Sequence, residues 1–226
     1  MSKNGNSYLS SSLYQAAEGY LAQDYSVIPV CGKVAAVRWT VYQRHRATQT
    51  ELLDWFIQQR HPGLATVTGS ISGLIVLDFD DPNRCEQFIT CCPDLTATRT
   101  IQTRRGWHLW FHIPNHWRIS SRKALGVDLK AEGGYVIAPP TRVGNHTYRV
   151  SPDQQPHLLS EHDLARIQAF LEALNPVIDP IAAQPGSLSP FSNHRVQPTI
   201  KNSFDGFRYT YEQRARWGIV ILRFSG

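Results

Sequence analysis

Residues 73–82 read Gly73-Leu74-Ile75-Val76-Leu77-Asp78-Phe79-Asp80-Asp81-Pro82. Four apolar residues in a row, with no polar interruption, are expected of a central strand buried on both faces. The run leads directly into carboxylates. If the strand continues through them, Asp78 and Asp80 project from one face and Phe79 from the other. Their Cα atoms are then about 6.5–7 Å apart. Asp81-Pro82 opens a helix, with proline suited to the first turn. That helix is expected to reach Cys92, where Pro93 stops it. A buried strand feeding a helix sets the expectation of a mixed α/β or α+β core.

The flanking sequence supports that expectation. Leu13, Ala16, Ala17, Tyr20 and Leu21 recur at helical spacing and predict an amphipathic helix over 12–23, after a disordered N-terminus over 1–12. Val27-Ile28-Pro29-Val30 reads as a short strand near an edge, because proline cannot donate to a ladder. Thr48 and Glu51 fit a capping box for a helix running to about Arg60. Leu64–Thr68 is strand-like, and Gly69–Gly73 is a tight loop. Strands are expected over Thr98–Thr103 and Trp107–Ile113, joined as a hairpin at Arg104-Arg105-Gly106. Further strands are expected over Val127–Lys130, Tyr135–Ala138 and Thr147–Val150. Ser160 and Asp163 mark the start of a helix to about Leu174. The domain expectation is therefore an ordered body over 13–175 and a linker and tail over 176–226. Prolines punctuate 176–203, and an aromatic, basic and apolar mixture over 204–226 suggests a second element cut short.

Composition excludes several classes. A chain of 226 residues with 42% hydrophobic and 18% charged residues can bury a core. No apolar run approaches the roughly 20 residues that span a bilayer, and the polar N-terminus has no signal-like apolar region. The expectation is a cytoplasmic chain with no membrane partner. The cysteines, Cys31, Cys85, Cys91 and Cys92, form no C-x-x-C pair, so buried or partly buried free thiols are expected rather than zinc ligands or disulfides. The net charge of +5 is concentrated over 99–130, where Arg99, Arg104, Arg105, Arg118, Arg122, Lys123 and Lys130 face a lone acid, Asp128. Such a stretch suits an anionic partner, and it also suits a solvated basic face.

The chemistry starts from Asp78 and Asp80. Two carboxylates at this spacing can grip hard divalent cations, and phosphoryl transfer needs such a grip. A D-x-D pair alone is common and also fits an acidic strand-end turn, with Asp81 capping the next helix. Val127-Asp128-Leu129-Lys130 repeats the alternation, setting a carboxylate and a cation on one face. His108 begins an aromatic strand after a glycine turn, where an imidazole can donate to a phosphate oxygen. Trp107, Trp110 and Trp117 lie among basic residues and could stack on bases, although core packing fits at least one of them.

The order of these parts resembles the primase-polymerase domain of the archaeo-eukaryotic primase superfamily. The likeness covers 13–150. It takes in Pro29-Val30 with Lys33, Trp39, Ala47-Thr48 through Trp55, and Gly69–Gly73 before Asp78. It continues through Gly106–Phe111, Gly126–Lys130, Gly133 through Pro140, Gly144 and Tyr148. The resemblance implies an N-terminal α/β part packed on an RRM-like sheet, with the active site in the cleft between them. Asp78, Asp80 and Asp128 would be catalytic ligands of two Mg²⁺ or Mn²⁺ ions. His108, Lys130, Arg104 and Arg105 would contact the incoming nucleotide, and Arg122 and Lys123 the nucleic acid. The implied activity is template-directed nucleotidyl transfer to a 3′ hydroxyl. Its partners would be single-stranded DNA template and primer, NTPs or dNTPs, and a replicative helicase. Rival functions with a similar carboxylate trio are a metal-dependent nuclease and a non-catalytic nucleic-acid-binding module.

The sequence departs from the family pattern in three places. The frequent Ser-x-His is Gly106-Trp107-His108, Lys33 lacks the following Lys-x-Pro proline, and Pro-Pro-Ser is Pro139-Pro140-Thr141. No cysteine/histidine cluster resembles the zinc stem of some relatives.

Overall fold

A computed structural model describes residues 4–151, 154–174, 208–213 and 220–225. The elements begin with helix α1 (Asn4–Ala22) and strands β1 (Ser26–Cys31) and β2 (Val34–Ala35). Helix α2 (Gln49–Leu53) continues as a wider π turn over Asp54–Gln58. Next come β3 (Gly63–Val67), β4 (Leu74–Phe79), α3 (Pro82–Cys91), β5 (Arg99–Gln102) and β6 (Trp107–His112). These are followed by β7 (Arg122–Ala124), β8 (Val127–Lys130) and β9 (Tyr135–Ile137). Short strands β10 (Arg142–Val143), β11 (His146–Thr147), β12 (Arg149–Val150) and β13 (His157–Leu158) precede α4 (Glu161–Leu174). The chain divides into a unit over Met1–Ile178 and a second over Asp179–Gly226. In the second, β14 (Arg208–Gln213) and β15 (Val220–Ser225) pair as an antiparallel hairpin.

The first unit is an α+β body with two main sheets. The smaller has the order β2-β1-β3-β9, and the larger has the path β12-β5-β6-β4-β8-β7, with β13 added parallel to β6. Strand β4 lies between β6 and β8, antiparallel to both. Its alternating residues feed two separate cores, as the period of a strand requires. Leu74 and Val76 join Trp110 and Ile101 in a core shared with α1, α2 and the smaller sheet. Ile75, Leu77 and Phe79 join Leu109, Phe111, Val127 and Leu129 against α3 and α4. The continuous apolar run is the sequence trace of this two-sided burial. Helix α4 is further pinned by Arg166, which donates to both oxygens of Asp94 at 2.6 and 2.7 Å. That fork holds the Asp94 carboxyl down at about 2.

Local signals performed as their physics predicts. Thr48 and Glu51 make both halves of the capping box. Asp81 caps α3, with Pro82 in its first turn. Ser160 and Asp163 exchange hydrogen bonds at the start of α4. Strand β1 lies next to the edge of its sheet, covered on one side only by β2. Its proline is tolerated because β2 is only two residues long. On that side the Pro29 carbonyl accepts from Ala36 N–H, and no partner calls on the missing donor.

One expectation about the termini needs correction. The stretch 1–12 is not wholly disordered, because α1 begins at Asn4. Serines have modest helix propensity but do not break a helix, and extending one already nucleated is easier than starting it. In the tail, β14 and β15 pair within 204–226, the stretch where a second element was expected. The expected linker over 176–203 lies outside the described residues. No described helix is long and apolar enough to cross a membrane.

Thr141 ties the Pro-Pro segment back to the smaller sheet. Its Oγ1 accepts from Leu64 N–H at 2.8 Å and donates to the Leu64 carbonyl at 2.9 Å, both in buried surroundings. Gly63 permits this approach, because a Cβ there would meet the Thr141 methyl at 2.5 Å. Thr141→Val leaves two buried backbone groups without that partner and is expected to destabilise the fold by about 2 kcal/mol. Urea denaturation reads this directly, and an unmoved midpoint would refute the role.

Candidate active site

The larger sheet sets three functional side chains in one row. Asp78 on β4 pairs with His108 on β6 and with Asp128 on β8. Directly opposed residues of antiparallel strands share a face with Cβ atoms about 4.5–5.5 Å apart. The row therefore runs His108, Asp78, Asp128 across three strands. It lies on the face that carries Leu74, Val76 and Trp110, one step beyond the apolar core. Polar residues take over where that core ends.

Each carboxylate has its own nitrogen partner. His108 Nε2 lies 3.2 Å from Asp78 Oδ1, and the His108 side chain is almost wholly buried. Its Nδ1 is buried without a partner among the described residues. Lys130 Nζ donates to Asp128 Oδ2 at 2.7 Å. Arg105 Nη2 lies 3.0 Å from Asp80 Oδ1, and Nε donates to the same oxygen at 3.2 Å. Burial opposes ionisation of Asp78 most strongly. The hydrogen bond from His108, with the fields of His108, Lys130 and Lys33, outweighs it and holds the carboxyl below the ordinary range. Tyr148, whose ring lies 5.8 Å from the His108 ring, is pushed up by burial and then by the charges of Asp78 and Asp80.

Two glycines make this geometry possible. A Cβ on Gly106 would sit 2.0 Å from the Phe79 carbonyl oxygen. The hairpin between β5 and β6 thus closes over the end of β4 only without a side chain at this position. Gly126, at φ +78°, accepts from the N–H groups of both Asp80 and Asp81 through its carbonyl. It fixes the turn that carries the second carboxylate.

The sequence-derived candidates separate in space. Strand β4 ends at Phe79, so Asp80 lies just past the ladder and is drawn to Arg105. Arg104 and Arg105 both sit on the hairpin, close enough to influence Tyr148 electrostatically. Lys123 pairs with Asp128 and shares its face, whereas Arg122 pairs with Leu129 and lies 3.3 Å from Glu172 on α4. Trp110 is fully buried in the core and cannot stack on a base. Trp107 and Trp117 pack partly against the helix-side core. Cys85 and Cys92 are buried, Cys91 is half-buried and Cys31 is exposed, and all four are free thiols.

One contributor carried no assigned role in the sequence. Lys33, in the turn between β1 and β2, influences Asp78 from the smaller sheet. Tyr135 shapes that turn, its hydroxyl donating to the Lys33 carbonyl at 3.1 Å and accepting from Ala35 N–H at 3.3 Å. The Gly32-Lys33 turn after a buried strand was the available signal. The distance in sequence from Lys33 to Asp78 hid its target.

The donor chemistry of Asp78 and Asp128, two carboxylates on directly opposed residues of a strand pair, suits a hard divalent cation. Among the described residues, no three acidic, histidine or cysteine side chains are gathered as a ligand set. Asp80 is held aside by a half-exposed ion pair, of a kind worth about 0–1 kcal/mol. Such a pair is weak against competition from a divalent ion.

A family model for the N-terminal domain of bifunctional DNA primase/polymerase, Prim-Pol, matches residues 17–164. That span contains every member of the acidic row and its cationic partners. No curated protein matches the chain.

Two predictions follow from the packing and charge of this row. Gly106→Ser is expected to displace the hairpin and lower the unfolding midpoint, with loss of the His108–Asp78 contact visible in NMR chemical shifts. Unaltered stability and shifts would refute the close-approach constraint. His108→Ala is expected to raise the Asp78 pKa, read by carboxyl ¹³C titration. Because the folded value is depressed, the stabilisation from Asp78 is present above the ordinary carboxylate range near about 4. It is lost as pH falls through the folded value, and the variant should show a smaller loss.

Proposed function

This chain belongs to the bifunctional DNA primase/polymerase N-terminal family, and on that premise we propose that its acidic row catalyses template-directed nucleotidyl transfer. The observation that carries the proposal is the register placing Asp78 opposite both Asp128 and His108, with Lys130 bonded beside them. A nucleotide-adding site needs negative oxygens for metal and positive groups for a triphosphate within a few ångströms of one another. The row supplies both.

The fold supports the RRM-like reading of the larger sheet. Counted from β4, the strands β4, β5, β6 and β8 lie in the order 2-3-1-4, all antiparallel, with α3 in the first connection. The position of Lys33 on the smaller sheet, influencing Asp78, supports a cleft between the two parts. We assign the catalytic domain to 13–175 and leave 176–226 as an appended linker and tail.

In this assignment Asp78, Asp128 and Asp80 would hold two Mg²⁺ or Mn²⁺ ions. Bound there, the ions would acidify the attacking hydroxyl and neutralise charge on the leaving phosphate. Lys130, Arg104 and Arg105 neutralise the triphosphate of an incoming NTP or dNTP. His108 orients Asp78 and stands at the nucleotide side of the row. The primer 3′ oxygen forms a bond to the α-phosphorus while the bond to the β-phosphate oxygen breaks and pyrophosphate leaves. Lys123, on the face of Asp128, contacts the single-stranded DNA template or primer. Arg122 would reach nucleic acid from the neighbouring face, after giving up Glu172. A replicative helicase is the partner we propose for the assembled activity.

The test is primer extension on a primed DNA template with dNTPs and Mn²⁺. Wild type is expected to extend, and Asp78→Ala or Asp128→Ala to reduce extension by about 10²–10³-fold, on the scale of lost electrostatic catalysis. Template affinity should stay within a few fold. Primer shortening without extension would replace the proposal with nuclease activity. Binding without incorporation under any metal would reduce the domain to a binding module.

A further inference from the structure

Outside the acidic row, basic side chains gather at the opposite end of β4. A cavity of about 660 Å³ is lined there by Arg44, Arg46 and Arg118, with Asn115, Ser70 and Glu132. Two separate segments supply the guanidinium groups: the chain before α2 gives Arg44 and Arg46, and the β6–β7 connection gives Arg118. Arg46 is aimed by its own bonds, with Nε donating to the Asp24 carbonyl at 2.7 Å and Nη2 to the Ile71 carbonyl at 2.9 Å. Arg118 Nη1 donates to the carbonyls of Asn115 and Trp117. Arg44 is exposed, and its side chain makes no ion pair or hydrogen bond among the described residues.

The acid in this cavity does not cancel the charge. Glu132 already accepts from Ser70 N–H at 2.8 Å, and with Asp24, whose carboxylate lies 3.7 Å from Arg46, it leaves two acids against three guanidinium groups. Three arginines converging on an open cavity, carrying more cation than local acids neutralise, is the chemistry of phosphate recognition. No aromatic side chain lines the cavity, so it lacks the aromatic platform on which bases stack. That favours a strand's backbone over a free nucleotide.

The basic line also continues. Arg118 borders a second cavity with His116, Trp117 and Arg122. Beyond it, along the edge strand β7, Lys123 pairs with Asp128 and reaches the acidic row.

We propose that Arg44, Arg46 and Arg118 form a second phosphate-binding site, which grips the sugar-phosphate backbone of a single-stranded nucleic acid remote from the acidic row. The inference rests on the polymerase assignment for its biological sense, but the contact itself needs no catalysis. From Gly73, at the cavity, to Asp78, strand β4 advances about 16 Å. At about 3.4 Å per nucleotide, a strand must extend on the order of five nucleotides to touch both ends.

The experiment measures fluorescence anisotropy of the full chain with oligonucleotides of roughly 4 and roughly 16 nucleotides, without nucleotides or added metal. The long strand is expected to bind more tightly. Arg44→Ala/Arg118→Ala should remove most of that advantage while leaving the short strand unchanged. The slope of log affinity against log salt for the long strand should fall by about 1.4, two contacts at about 0.7 each. Arg44→Lys combined with native Arg118 should keep the full slope, and circular dichroism checks that each variant is folded. Equal affinity of wild type and double variant for the long strand overturns the proposal. So does loss of inorganic triphosphate binding in the double variant with long-strand binding intact, which would make the cavity a free-polyphosphate site. Neither outcome touches the extension assay, so the two proposals fail independently.

Discussion

The site depends on one pairing register. Asp78 stands opposite His108 on one side and Asp128 on the other. A slip of one residue on either neighbour would turn the partner side chain to the opposite face. The register is guarded by burial, because the same slip would drive Leu109 or Leu129 out of the helix-side core. Two carboxylates directly opposed repel each other, and the fold answers with His108, Lys130 and the more distant Lys33. The hydrophobic cores hold in place an arrangement that electrostatics alone would resist.

Strand β4 is where these demands meet. Its even-numbered residues pass from Leu74 and Val76 in one core to Asp78 at the edge of that core. Its odd-numbered residues, Ile75, Leu77 and Phe79, stay buried against α3 and α4 throughout. Half-burial of Asp78 follows from this position, and so does the contest between desolvation and nearby cations that sets its ionisation. The glycines at 106 and 126 then fold neighbouring turns over the end of the strand without steric conflict.

Much of this was legible from the residues. The capping box at Thr48, the capped start of α3 at Asp81 and the buried run 74–77 depend on neighbours in sequence, and local physics reads them well. The pair Asp128 and Lys130 shared a face by alternation alone. Trp110 was less legible, since an aromatic residue among arginines looks the same whether it faces solvent or a core. Its burial depends on α1 and the smaller sheet, which come from distant sequence. Asp80 was placed on the strand by extrapolation, yet the ladder stops one residue earlier, where Gly126 captures the next two N–H groups.

By itself the sequence determined which segments form strands and helices, which faces are apolar, and which acids, histidine and lysine could share a chemistry. Alternation and capping are short-range, so they need no knowledge of the rest of the chain. Only the tertiary structure decided that His108, Asp78 and Asp128 stand in one row. Only it decided that Asp80 answers to Arg105, that Lys33 acts from another sheet, and that Arg44, Arg46 and Arg118 converge at the far end. These relations join segments tens of residues apart. They are set by strand order and register, which depend on how two cores are filled at once.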